Sequence, residues 1–271
     1  MSPGTRGELI LSNINKREFL KISGVLLFGL GSGALLEVLS PGEALNAEEY
    51  IADPEALKAN SWGMVIDLKI VNEKIIARCI KQCHQIHNVP DIPDKKREIK
   101  WIWGELFKSV FPDKGFEYFN IRSDLGNKTI PVFCNHCKEP PCVRVCPTKA
   151  TFKRPDGIVM MDMHRCIGCR FCMAACPYGS RSFNWMDPKP YINDKNMEYP
   201  AREKGVVEKC DFCVERIDKG LQPACVEVSE GSFHFGDLNN PESEVVKLLR
   251  TRYTIRRKPE LGTVPQIYYL I

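Results

Sequence analysis

Thirteen cysteines, all between residues 79 and 225, constrain this 271-residue chain more than any other feature of its sequence. They fall into four short segments: Cys79–Cys83, Cys134–Cys146, Cys166–Cys176 and Cys210–Cys225. An odd total excludes complete pairing as disulfides within the chain. Closely spaced C-x2-C pairs are also poor disulfide geometry. The cysteines are therefore expected to bind metal.

The third segment carries the most specific motif. It reads Cys166-Ile-Gly-Cys169-Arg-Phe-Cys172-Met-Ala-Ala-Cys176-Pro177, the run C-x2-C-x2-C-x3-C-P. Bacterial ferredoxins use this run to bind [4Fe–4S] clusters, with the fourth thiolate bound to the neighbouring cluster. Gly168 would let the backbone approach a cluster closely. This segment therefore predicts iron–sulfur chemistry.

The second segment supplies a partner set of thiols. It repeats the same run with two additional residues before its third thiol and again ends in Cys-Pro. Under the crossover rule each set exchanges its fourth ligand with the other. One predicted cluster is therefore bound by Cys134, Cys137, Cys142 and Cys176. The other is bound by Cys166, Cys169, Cys172 and Cys146.

The first and fourth segments are incomplete in ways that match each other. Cys210, Cys213 and Cys225 lack a fourth thiol because residue 229 is serine. Cys79 and Cys83 are spaced like third and fourth ligands, and the first two ligand positions fall at Glu73 and Ile76. Crossover gives Cys83 to the fourth segment and completes a third cluster. The prediction is three [4Fe–4S] clusters, no fourth cluster, and a free Cys79.

Other metal chemistry remains as an alternative. Zinc sites prefer two C-x2-C pairs separated by a longer loop, although the fourth segment with Cys83 could hold zinc. His84, His87, His136 and His164 lie near the cysteines and are available as ligands. Hydrogen bonding near sulfur, or exposure to solvent, is their commoner role. A zinc-stabilised binding module would be colourless and would hold no reducible centre.

The N-terminal residues 1–47 resemble an export signal or an anchor. Lys16-Arg17-Glu18-Phe19-Leu20-Lys21 is similar to the twin-arginine export motif, with lysine in place of the first arginine. Only small or apolar residues follow, from Ile22 to Leu36. This stretch is shorter than the ~20 residues that a spanning helix needs. A retained hydrophobic anchor is the alternative.

The remaining pattern places short strands beside the cysteine segments. Apolar runs predict strands at Met64–Leu68, Ile130–Phe133, Ile158–Met161 and Phe233–Leu238. The spacing of Trp103, Phe107 and Phe111 suggests an amphipathic helix in an insertion at about 90–127. A loop is expected at about 187–204, and Asn240-Pro241-Glu242 resembles a helix start. No pattern is evident in residues 256–271.

The four-segment layout resembles the iron–sulfur subunits of the molybdopterin-oxidoreductase (dimethyl-sulfoxide reductase) superfamily. A closer resemblance is to the exported iron–sulfur protein of the membrane complex associated with dissimilatory sulfite reductase. It rests on Cys83–Pro90, Lys100–Trp103, Arg144–Arg154, Asp156–Cys166 and, more weakly, Arg256–Gly262. The superfamily resemblance implies an α+β fold of two stacked ferredoxin-like domains with insertions.

The domain boundaries follow from the segments and the resemblance. One ferredoxin-like unit with one cluster is expected from residues 60–90 plus 206–240, and a second with two clusters from 128–186. Residues 91–127 form the insertion, and 241–271 a C-terminal helix and docking tail.

The expected function is electron transfer in a membrane-bound respiratory complex. The resemblance implies a polytopic quinone-interacting membrane subunit and a multihaem cytochrome c as partners, a menaquinone pool, dissimilatory sulfur metabolism, and the periplasmic face of the cytoplasmic membrane. The alternative is the electron-transfer subunit of a polysulfide- or nitrite-reductase-like enzyme. A third possibility, an enzyme with a substrate-binding cluster, requires that Cys83 fail to reach the fourth segment.

The net charge of +4 and the absence of Lys/Arg runs give no support to nucleic-acid binding. No nucleophile motif or phosphate loop suggests catalysis by this chain itself.

Overall fold

The computed structural model describes residues 53–112 and 123–271. In chain order its strands and helices are β1 (Trp62–Asp67), α1 (Glu73–Ile86), β2 (Ile102–Leu106), α2 (Phe107–Val110), α3 (Ser123–Gly126), β3 (Thr129–Phe133), α4 (Pro141–Arg144), β4 (Thr151–Lys153), β5 (Val159–Met161), α5 (Phe171–Ala175), β6 (Ser182–Phe183), β7 (Val207–Glu208), α6 (Val214–Ile217), α7 (Ala224–Glu227), β8 (Phe233–Asp237), α8 (Glu244–Thr251), β9 (Thr254–Ile255) and β10 (Ile267–Leu270). Single 3-10 turns occur at Lys189–Tyr191 and Pro259–Leu261.

A four-stranded sheet of order β8-β1-β10-β9 forms the centre of the described fold. All six residues of β1 are buried, because the strand is paired on both edges. It runs antiparallel to β8 and parallel to β10, with Met64 opposite Ile267. Three two-stranded sheets, β2-β3, β4-β5 and β6-β7, complete the strand pairing. This is a mixed α/β architecture.

Helix α1 positions the first cysteine segment. The Asn72 side chain caps it by accepting a hydrogen bond from the Ile75 N–H at 3.0 Å. Ile75, Cys79 and Cys83 recur on one helical face and are buried. That face packs against α7, which carries Cys225. The first and fourth segments, over 120 residues apart in the sequence, therefore lie side by side.

The four predicted strands are confirmed as β1, β3, β5 and β8, with ends that differ by one or two residues. The expected loop at about 187–204 contains a single 3-10 turn. In α8, Val245 and Val246 are buried and lie against Val65 and Leu270. These agreements reflect apolar runs flanked by turn residues.

Two expectations were wrong, and a segment for which no element was predicted forms a strand. The helix expected through Trp103, Phe107 and Phe111 is instead strand β2 followed by the single turn α2, because β3 supplies hydrogen-bond partners for 102–106. Helix α8 begins after Ser243 rather than at Asn240-Pro241, which form a turn closed by Ser243 N–H to Asn240 O at 3.0 Å. Residues 267–270, in the tail 256–271 where no pattern was evident, form strand β10 of the central sheet, and residues 254–255 just before that tail form β9.

The expected export signal or anchor at 1–47 lies outside the described residues. Within 53–112 and 123–271, no helix has the length and apolar character needed to cross a membrane.

Candidate metal centres

The C-x2-C loops that open the second, third and fourth cysteine segments share one backbone feature. The third residue of each loop has a left-handed conformation: φ is 40° at His136, 69° at Gly168 and 63° at Phe212. Such a residue turns neighbouring backbone N–H groups towards one side, which suits an anionic metal cluster. At Gly168 a Cβ would lie 2.5 Å from the Gly205 carbonyl oxygen, so no other residue fits without displacement. The three loops are thus built alike although their sequences differ.

Four cysteines from two distant parts of the chain line one internal cavity, which we call site A. They are Cys83, Cys210, Cys213 and Cys225. Helix α1 supplies Cys83, the loop before α6 supplies Cys210 and Cys213, and α7 supplies Cys225. Apolar side chains, including Met64, Trp101, Phe133 and Phe212, form most of the remaining wall, together with His87 and Asp211. The structure thus brings together the set in which the sequence predicted Cys83 as the fourth member.

A second cavity, site B, is lined by Cys134, Cys137, Cys142 and Cys176. Cys142 belongs to α4, and Cys176 caps the end of α5. The remaining lining includes three prolines, Pro140, Pro141 and Pro177, and the side chains of Tyr178, Ser180 and Arg181. The fourth member again comes from the other cysteine segment, as the crossover rule predicted.

The third set, site C, comprises Cys146, Cys166, Cys169 and Cys172. Cys172 lies in a small buried cluster with Cys142, Val159 and Val207, and Cys166 packs against that cluster. Cys146 and Cys169 lie outside it, and Cys169 is exposed. The Thr151 N–H donates to Cys146 Sγ at 3.4 Å. Site C is therefore the most open of the three.

Site B adjoins both other sites. Cys134 of site B is close enough to Cys210 of site A to raise the pKa of that thiol, after burial and Asp211. Between these two sites the rings of His136 and Phe212 stack with centroids 3.7 Å apart. On the other side, Cys142 of site B shares a buried cluster with Cys172 of site C. The order of the sites is thus A, B, C.

The electrostatics of sites A and B favour bound metal over free thiolate. Burial raises the pKa of Cys83, Cys210 and Cys213 well above the ordinary thiol value, and that of Cys225 to about 12. In site B burial raises the pKa of Cys137 to about 12. A single buried thiol can act as a small apolar side chain. Four converging thiols suit a metal centre, whose positive charge replaces their protons. The donor set therefore fits [4Fe–4S] ligation.

The residues at the positions where a fourth cluster would need ligands make other contacts. Ser229 is fully buried, and its Oγ donates to Val226 O at 2.7 Å and accepts from the Phe233 N–H at 3.1 Å. Ile76 belongs to the apolar core, and Glu73 accepts a hydrogen bond from Thr129 Oγ1. Cys79 Sγ is buried and donates to Cys225 O at 3.3 Å. Within the described residues, these four side chains thus contact the backbone, Thr129 or the apolar core.

His87 lines site A. Its Nδ1 lies 2.9 Å from Cys83 O, and its Nε2 lies 2.8 Å from Glu215 Oε1. Burial lowers its pKa, but Glu215 and Asp211 outweigh burial, and the net shift is upward. Ligand atoms of His87, Cys213 and Glu215 lie within 4.8 Å of one another, so this trio could hold a single metal ion if site A held no cluster.

Burial lowers the pKa of His84 to about 4, and it lowers that of His136 well below the ordinary value. The backbone N–H of His164 donates to Asp162 Oδ1 at 2.9 Å.

Sequence reasoning missed the charged residues that surround the thiols. Arg181 lines site B, and Lys209 comes directly before Cys210 of site A in the sequence. Both side chains are buried. Farther out, Glu208 accepts hydrogen bonds from Arg202 Nε at 2.7 Å and Trp101 Nε1 at 2.9 Å. Arg202 also donates to the backbone carbonyls of the residues that follow α1. The segment Lys100–Trp103 was noted only as part of a resemblance, and nothing in it indicated this network.

Comparisons with known proteins agree with the donor set. The 4Fe-4S dicluster domain family matches the chain twice, over residues 127–190 and 189–238. The chain is 37% identical to the Hdr-like menaquinol oxidoreductase iron-sulfur subunit 1 of Archaeoglobus fulgidus, over 94% of this chain and 97% of that protein. It is 41% identical to a tetrathionate reductase subunit of Salmonella typhimurium, over 94% of this chain and 88% of that protein.

A further relative is the iron-sulfur cluster-binding subunit of menaquinone reductase from Nitratidesulfovibrio vulgaris, 35% identical over 77% of this chain and 88% of that protein. These matches extend far beyond the cysteine segments. The chain therefore belongs to the family of iron–sulfur subunits of molybdopterin-oxidoreductase-type complexes, built on 4Fe-4S dicluster domains.

Proposed function

We propose that this chain carries electrons through three [4Fe–4S] clusters held at sites A, B and C and has no catalytic site of its own. The observation that carries the proposal is site A. Cys83, from α1, meets Cys210, Cys213 and Cys225 in one buried cavity. With Cys83 in place, twelve cysteines form three sets of four, and Cys79 is left over. A cluster with an open iron for substrate would need a set of three.

When bound, such a cluster accepts and releases one electron without making or breaking a bond to substrate. The chain contributes thiolate ligands, exclusion of water at sites A and B, and backbone N–H groups at the loops. Because sites A and B are enclosed while Cys169 of site C is exposed, site C is best placed to exchange electrons with a partner.

We also propose the finer assignment from the sequence. The two ferredoxin-like units stack, and the protein works in a respiratory complex on the extracytoplasmic face of the membrane. Its partners there are a polytopic quinone-interacting subunit and a multihaem cytochrome c, in dissimilatory sulfur metabolism. Support comes from the resemblance of Cys83–Pro90 and Asp156–Cys166, and from relatives named for menaquinol and menaquinone oxidoreductases.

The second candidate is an electron-transfer subunit of a polysulfide-reductase-like enzyme. Two relatives favour it: the tetrathionate reductase subunit at 41% identity, and a polysulfide reductase chain of Wolinella succinogenes at 39% identity over half of this sequence. Both candidates share the same clusters and differ in the partner subunit. Purification of the intact complex from native membranes separates them: a multihaem cytochrome supports the first, and a molybdopterin subunit supports the second.

The electron-transfer proposal is tested by a redox titration followed by low-temperature EPR on anaerobically purified protein. Three one-electron centres are the expected result. A chain with no reducible centre, or with bound zinc in place of iron, would refute it. Protease treatment of intact spheroplasts tests the location, since only an extracytoplasmic protein is expected to be cleaved.

A further inference from the structure

Two buried cations lie at the two junctions of the A–B–C row. Arg181 is 5% exposed and Lys209 is 1% exposed. Within residues 53–112 and 123–271, neither side chain forms an ion pair with a carboxylate; the contacts observed are to neutral acceptors. Burying a charge without a counter-charge costs free energy, so an anionic group is expected near each of these side chains.

Arg181 lies between sites B and C. It lines the site B cavity together with Cys134 and Cys142. Its Nη1 donates to Thr151 Oγ1 at 3.1 Å, while its Nη2 is buried without a hydrogen-bond partner. The guanidinium lies near Cys142 of site B and Cys172 of site C. A guanidinium with a free N–H among thiols of two sites is placed to face negative charge on both sides.

Lys209 lies between sites A and B. Its ammonium donates to Val159 O and, at 2.7 Å, to Cys210 O. Cys210 in turn faces Cys134 of site B. The stacked rings of His136 and Phe212 also lie between these two sites. Lys209 is therefore a buried lysine at the junction of sites A and B.

We propose that Arg181 and Lys209 set the reduction potentials of the clusters at sites A, B and C. Lys209 influences sites A and B, and Arg181 influences sites B and C. The proposal rests on the three-cluster function. When a site takes up one electron from a donor, it becomes one charge unit more negative, and no bond or proton moves. A nearby fixed cation stabilises that reduced form and raises its potential.

The test uses full-length, cluster-loaded protein and an EPR-monitored redox titration. Arg181→Met and Lys209→Met remove each charge; Arg181→Lys and Lys209→Arg keep it. Lys247→Met removes an exposed cation from α8 as the control. At a fixed potential near the midpoint, each methionine variant should lower the ratio of reduced to oxidised form at least tenfold in two of three centres. That ratio corresponds to about 59 mV for one electron.

The decisive result is which centres change their reduction potential in each variant. One centre should shift in both methionine variants, one only in Arg181→Met and one only in Lys209→Met, while Lys247→Met and the charge-keeping variants match the unmodified protein. Unchanged potentials with full iron content would overturn the proposal, as would an equal shift of all three centres. If a methionine variant loses iron, Arg181→Gln or Lys209→Gln carries the same comparison. An unmodified protein without three centres would instead contradict the proposed function.

Discussion

Replacement of Cys83 by serine tests the assignment of site A most specifically. Cys83 is buried on α1 and is the only member of site A that comes from the N-terminal half of the sequence. Its loss leaves three thiols in the cavity. The unmodified protein is expected to hold about twelve iron atoms, and we expect the variant to lose at least one, or about four if the site empties. The EPR signal of one centre should change or disappear.

The matched control is Cys79→Ser, one helical turn earlier on the same buried face. Cys79 Sγ makes a single hydrogen bond, to Cys225 O, and a serine hydroxyl can make the same bond. Iron content should stay at about twelve, with a stability cost of about 1–2 kcal/mol. Iron and sulfide analysis with EPR of both variants is the assay. Equal iron loss in the two variants, or loss only in Cys79→Ser, would refute the crossover assignment.

Three further predictions concern the scaffold. Gly168→Ala should lower stability by about 1–3 kcal/mol and reduce the iron content at site C, because the added Cβ would meet Gly205 O. The control Gly179→Ala, also at positive φ but with open space around the added Cβ, should cost about 1 kcal/mol and leave the iron content unchanged. Thermal unfolding and iron analysis of both variants measure these effects. Arg202→Met should destabilise the fold by about 3–5 kcal/mol in urea unfolding, because it leaves a buried carboxylate unpaired; unchanged stability would contradict this reading. Burial raises the pKa of Tyr269 to about 12, so the contribution of its neutral form to stability is complete below pH 10 and is lost as pH rises from 10 to 12. Tyr269→Phe should reduce the fall in unfolding free energy over that pH range by up to about 3 kcal/mol. An unchanged dependence of unfolding free energy on pH would contradict this prediction.

Much of the thiol chemistry could be predicted because its signal is local. The third cysteine segment is contiguous, and its spacing reflects the geometry of one cluster. The pairing of Cys83 with Cys210, Cys213 and Cys225 could also be deduced. The fourth segment lacks a fourth thiol, and the first segment has a thiol at the position of an exchanged fourth ligand. The structure places those four around one cavity. Their role as cluster ligands stays a prediction.

The central sheet was only half predictable. Strands β1 and β8 are apolar runs with turn residues beside them. Strand β10, Ile-Tyr-Tyr-Leu, is only four residues long, and it pairs in parallel with residues about 200 positions away. Local propensity contains no information about a partner at that distance. Tertiary pairing likewise made 102–106 a strand where aromatic spacing suggested a helix.

The charged surroundings of the sites could not be predicted at all. Arg181 and Lys209 are two of 38 lysines and arginines, and no period or motif distinguishes them. Their burial follows from how the cysteine loops pack against β5 and α4, which the structure alone establishes. The same holds for Glu215, which reaches His87 across 128 positions of sequence.

Iron and acid-labile sulfide per polypeptide, measured on anaerobically purified full-length protein, test the central claim most directly. Three clusters predict about twelve of each. About sixteen of each would mean that the region of Glu73 and Ser229 binds a fourth cluster through other ligands, contrary to the contacts observed there. Zinc in place of iron would contradict electron transfer by this protein.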